Sequence, residues 1–120
     1  MWIFSSQSFI SIVRHTDKPS TLIVRSRFRG HIEKMFPKAI VEEDANRDYR
    51  YRAELPVREV SKVMARMVSE IDYPNFKNSL SARDENYVNC CLDIYSVVAK
   101  NSGDWDFSKF DYLKEEPNEG

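Results

Sequence analysis

The sequence predicts an α+β two-layer sandwich. We expect a mainly antiparallel sheet with helices on one face, in the order ββαββα plus a C-terminal helix. Three observations carry this reading. Residues 21–29 and 48–55 place arginine at every second position, the period at which a strand alternates its faces. Val57, Val60, Met64, Met67 and Ile71 recur at intervals of three and four, the period of a helix with one apolar stripe. Short runs rich in Asp, Asn, Pro and Gly separate these segments and read as turns. Strand pairs joined through single helices give an antiparallel or mixed sheet, and this order is a circular permutation of the ferredoxin-like arrangement.

Phe9-Ile10-Ser11-Ile12-Val13-Arg14-His15, rich in β-branched and aromatic residues, reads as the first strand. Asp17, Pro19 and Ser20 turn the chain into the second, residues 21–29. Gly30 punctuates it, and residues 31–36 form a short helix with Ile32, Met35 and Phe36 on one side, ended by Pro37. Residues 40–43 are the third strand, and Asp44-Ala45-Asn46-Arg47 turns into the fourth at 48–55. Pro56 suits the first turn of the helix that follows, to about residue 71. Residues 72–77 are a loop of hydrogen-bonding and aromatic groups. A last helix runs from 82 or 84 to about 101, with Tyr87, Cys91, Ile94, Tyr95 and Val98 inward, Ser81 as its cap and Gly103 in the left-handed position after it. Residues 1–103 thus read as one domain. Residues 104–120 form an acidic, aromatic tail, disordered from 115 onward.

At 120 residues the chain is long enough for one self-sufficient core. A net charge of -1 argues against a non-specific DNA-coating role, so any affinity for nucleic acid must come from local clustering. Met1-Trp2-Ile3-Phe4 is apolar but lacks a basic lead and is interrupted by Ser5-Ser6-Gln7-Ser8, so it reads as neither signal peptide nor membrane span. Adjacent Cys90 and Cys91, without CxxC or Cys/His spacing, suit a reducing cytoplasm.

The arginines are the main functional signal. In strand geometry Arg25, Arg27 and Arg29 share one face, as do Arg50 and Arg52, while Val24, Phe28, Tyr51 and Leu55 line the core. Guanidinium forks suit phosphate or carboxylate. The plainer reading pairs them with Glu42, Asp44, Asp48 and Glu54 in exposed ion pairs worth about 0–1 kcal/mol each. Tyr49 and Tyr51 alternate away from the arginines, which argues against base stacking on that face. Tyr73, Asn75, Phe76 and Lys77 offer a pocket rim in which Lys77 meets an anion; the alternative is a helix stop with Tyr73 and Phe76 packed inward. Trp105, Phe107 and Phe110 of the tail could anchor in a partner groove, cover their own domain, or lend carboxylates to the arginine face.

Catalysis has little support. His15 and His31 are the two histidines; His15 lies at a strand end, and His31, at a helix start with Glu33, has no nucleophile beside it in sequence. Strand alternation separates Glu43 from Glu42 and Asp44, and no P-loop, GxGxxG or zinc spacing is present. No metal site and no cofactor is implied.

Met1-Trp2-Ile3-Phe4, the run from Thr21 to Gly30 (TLIVRSRFRG), Asp48-Tyr49-Arg50-Tyr51-Arg52-Ala53 and Ile71-Asp72-Tyr73-Pro74-Asn75-Phe76-Lys77 together resemble a family of small bacterial and phage proteins of unassigned function. The likeness covers roughly residues 1 to 98, leaving the tail outside it. It implies a bacterial or phage source, a compact cytoplasmic domain and a part in phage–host conflict, and it carries over no catalytic residue. The expectation is therefore a non-catalytic binding protein that engages an anionic ligand (nucleotide or nucleic acid) or a protein partner, away from membranes. A metal- or histidine-dependent enzyme acting on nucleotides or nucleic acid, and a self-associating structural subunit, are the alternatives.

Overall fold

The alternating and helical periods of the sequence become a five-stranded antiparallel sheet with helices, the expected α+β class. The computed structural model describes residues 1–81 and 83–103. In chain order come β1 (Trp2–Phe4), β2 (Phe9–Arg14), β3 (Thr21–Ser26), α1 (His31–Met35), β4 (Glu42–Glu43), β5 (Tyr51–Pro56), α2 (Val57–Ser69), α3 (Phe76–Ser79) and α4 (Glu85–Asn101). The sheet order is β1-β2-β3-β5-β4, and every neighbouring pair is antiparallel. A permuted ferredoxin-like sheet has four strands; this one has five, because Trp2-Ile3-Phe4 pairs with β2. The chain divides into two compact units, Met1–Val88 and a second that begins at Asn89, a boundary inside α4. No helix among the described residues is long and apolar enough to cross a membrane.

One sheet face builds the core. Ile10 and Ile12 of β2, Val24 of β3 and Tyr51, Ala53 and Leu55 of β5 are buried against Ile32, Met35 and Phe36 and against Val60 of α2. Removing an aliphatic side chain of this size from water contributes about 1.5–3 kcal/mol. Val63, Met64 and Met67 extend the α2 stripe at partial burial, whereas Val68 is 69% exposed. The start of α2 is fixed from outside the helix: Val57 N–H donates to the Ser20 carbonyl at 3.0 Å, joining it to the turn before β3.

Both arginine strands are shorter than their sequence pattern. The Ser26 hydroxyl donates to the Phe9 carbonyl (2.7 Å) and accepts from Phe28 N–H (3.2 Å), so the chain turns out of β3 before Arg27. On the other side, the Asp48 carboxylate accepts from Tyr49 N–H at 2.9 Å, and the ladder of β5 begins only at Tyr51. Ser81 is not the cap of α4. Asp84 fills that place, its carboxylate accepting from Tyr87 N–H (3.3 Å) and its carbonyl from Val88 N–H (2.9 Å). In α4, Tyr87 and Cys91 are buried as expected, but Tyr95 and Val98 are 45% and 63% exposed. Apolar residues at 94, 95, 97 and 98 span too wide an arc for one face to bury them all.

Candidate functional site

The strand register places Trp2, Ser11, Arg25, Arg52 and Glu42 in a single row across all five strands. The adjacent row, Ile12, Val24 and Ala53, is buried in the core, so this row belongs to the opposite face. Arg25 and Arg52 are direct cross-strand partners, two like charges where an antiparallel sheet ordinarily avoids them.

Arg25 donates from Nη2 to the Ser11 hydroxyl at 2.7 Å, and its guanidinium carbon lies 4.2 Å from the Tyr49 ring centroid. Arg27 approaches the same ring at 5.4 Å. Among the described residues neither arginine forms an ion pair. Among the described residues Arg52 reaches one carboxylate, that of Asp48, at 3.9 Å. Burial, reinforced by the charges of Arg47 and Arg25, lowers the Arg52 pKa from its ordinary value, although the group stays ionised at neutral pH. The Nε atoms of Arg25 and Arg52 are both buried and have no hydrogen-bond partner among the described residues.

Arg29 and Arg50 form a separate group. Arg50 binds the Glu43 carboxylate through Nη2 (2.7 Å) and Nε (2.8 Å), and Arg29 reaches it at 3.4 Å. The Arg50 hydrogen bond holds the Glu43 carboxyl below the usual carboxylate range. Both guanidinium groups lie over Tyr51, at 5.3 and 5.9 Å. Glu54, a second expected partner of the arginines, instead meets Lys18 at 2.8 Å and His15 at 3.6 Å.

The expected lattice of five arginines is thus two clusters, one around Tyr49 and one around Tyr51 and Glu43. Strand alternation stops at Ser26 and starts at Tyr51, so it does not govern Arg27, Arg29, Tyr49 or Arg50. Tyr49 is as buried as Tyr51 but stands outside the core cluster that Tyr51 joins: it lies beneath Arg25 and Arg27, 6.4 Å from Phe9. Phe9 in turn stacks on Phe4 at 4.4 Å and meets Trp2 edge-to-face at 6.1 Å. A line of aromatic rings therefore accompanies the arginines, contrary to the sequence expectation. Trp2 is 67% exposed.

Sequence reasoning missed Trp2, Ser11 and Tyr49 as members of this face. Trp2 lies in a run too short to show a period, and Ser11 lies on a strand apolar on both faces. Lys77 is on α3, an element apart from the arginine row. Asn75 caps that helix, accepting from Asn78 N–H at 3.3 Å, and the Tyr73 and Phe76 rings are 6.3 Å apart. Tyr73 lines a groove of about 640 Å³ with Ile3, Met35, Val63 and Met67. Trp105, Phe107 and Phe110 lie outside the described residues.

His31 is buried, and both ring nitrogens are engaged. Nδ1 accepts from Phe9 N–H at 2.9 Å, which leaves the proton on Nε2 to be donated to Asp84 at 2.9 Å. The ring stacks on Phe28 at 4.7 Å and meets Tyr87 edge-on at 4.9 Å. This arrangement fastens the start of α4 to β2 and leaves no lone pair to take a substrate proton. Comparison of the chain with protein-family models, curated proteins and solved structures returns no match.

Proposed function

We propose that this protein is a non-catalytic binding protein that engages an anionic ligand or partner through Arg25, Arg27 and Arg52. One observation carries the reading: Arg25 and Arg52 oppose each other across β3 and β5, each with a buried Nε that has no acceptor. A buried donor without an acceptor costs about 1–3 kcal/mol, and opposed like charges add to that cost. An anion bridging the two guanidinium groups at their terminal nitrogens would offset the opposed charges, through charge-assisted bonds of the kind arginine makes best. The engaged nitrogens of His31, and the commitment of Glu43 to two arginines, disfavour the histidine- and metal-dependent alternative.

Calorimetric titration with inorganic tripolyphosphate and with polyglutamate at low salt tests the proposal. At least one polyanion should bind, and Arg25→Ala with Arg52→Ala should weaken it at least tenfold, about 1.4 kcal/mol. Arg58→Ala, on the exposed side of α2, should leave it unchanged. Absence of binding by either polyanion, or equal binding by the double variant, would overturn the reading.

A further inference from the structure

We infer that the occupant of this face is single-stranded nucleic acid, with a base stacked on Trp2 and backbone phosphates held by Arg25 and Arg52. The inference rests on the anion-binding reading above and specifies its ligand. The cross-strand row offers, in order, an aromatic ring (Trp2), a hydroxyl (Ser11) and two guanidinium forks (Arg25, Arg52). Neighbouring strands lie about 4.8 Å apart, so along the row the backbone of Trp2 is about 10 Å from that of Arg25 and about 15 Å from that of Arg52. That is the reach of a short single strand laid across β1, β2, β3 and β5.

The indole suits a base. Phe9 meets it edge-to-face, and Phe9 is itself fixed by stacking on Phe4. Trp2 nevertheless keeps two-thirds of its surface exposed, at 67%. A ring held in place yet exposed is a stacking platform, and stacking on such a ring is worth about 1–3 kcal/mol per base. A duplex keeps its bases inside the helix and cannot supply one. An acidic peptide would use the arginines and leave the indole idle. Glu42 ends the row on β4 and would repel a further phosphate, confining the path to the four strands before it.

The test uses the full chain carrying Trp105→Phe, which leaves Trp2 as the sole tryptophan. Fluorescence titrations compare single-stranded RNA and DNA of about 12 nucleotides, the corresponding duplex, polyphosphate and polyglutamate. We expect a single strand to bind most tightly and to quench Trp2. Read by the anisotropy of a fluorescein-labelled oligonucleotide, since these variants keep no tryptophan, Trp2→Ala should weaken binding about tenfold, with Trp2→Phe retaining most of it. Arg25→Ala with Arg52→Ala should lower the slope of log K against log salt by about 1.4, two phosphates at 0.7 each. A preference between RNA and DNA would identify the sugar, and either supports the inference. Equal binding of polyphosphate together with an inert Trp2→Ala would overturn it while leaving the anion-binding reading intact. Binding of polyglutamate but no oligonucleotide would make the occupant a protein and overturn it likewise. No binding of any polyanion would remove both readings.

Discussion

His31 has an environment that makes the fold sensitive to pH. Burial is the largest influence on its ring and lowers its pKa below the ordinary 6.5; the Asp84 hydrogen bond opposes this and the Lys34 charge adds to it. The unfolded chain therefore takes up the proton first as pH falls. Stability that His31 contributes is complete above about pH 6.5 and declines below it. Asp84 acts in the same direction at lower pH. Burial opposes its ionisation, but the His31 and Tyr87 N–H hydrogen bonds and the Lys34 charge together keep its pKa below the ordinary value, so its contribution too is lost on acidification. Urea unfolding at about pH 7.5 and 5.5 should show a lower midpoint at the acidic value, and His31→Gln should flatten that difference. Identical midpoints for the parent, or an undiminished difference in His31→Gln, would sink this account.

Among the elements, α2 was the most legible. Its stripe of Val60, Met64 and Met67 has no competing apolar pattern, and Pro56 marks its start, with φ at -61°. The two arginine strands were legible in position but not in length. Their alternation continues in the sequence past Ser26 and begins before Tyr51, yet two side-chain to backbone bonds, from Ser26 and Asp48, replace the ladder there. Such local bonds depend on a single hydroxyl or carboxylate and leave no periodic trace, which is why the site was only half visible. Gly30, between β3 and α1, punctuates the chain as its sequence context predicts. Its φ of +82° lies in the left-handed region, and an added Cβ would meet nothing within 4 Å. The cost of a side chain there is thus purely conformational. Gly30→Ala should lower stability by about 1–2 kcal/mol and Gly30→Asn by less, read from denaturant midpoints. A Gly30→Ala protein as stable as its parent would show that α1 tolerates another entry geometry.

Across the whole molecule, a chain of net charge -1 leaves Arg25 and Arg27 without an ion pair among the described residues, while its acidic residues pair with Arg29, Arg47, Arg50, Arg52 and Lys18. The α+β class followed from the sequence because both periods were present; the fifth strand did not, since three residues cannot display one. Protection against amide exchange should follow the sheet order, slowest in β2, β3 and β5, which are paired on both sides, and fastest in β4. Mass-spectrometric exchange in which Glu43 is as slow as Val24 would contradict that order. The six-residue strands β2, β3 and β5 are all interior, and the margins are left to β1, with three residues, and β4, a Glu42–Glu43 pair. A neighbouring molecule seeking to extend the sheet would find a short template at one border and two carboxylates at the other, a design that restrains fibre growth in crowded solution.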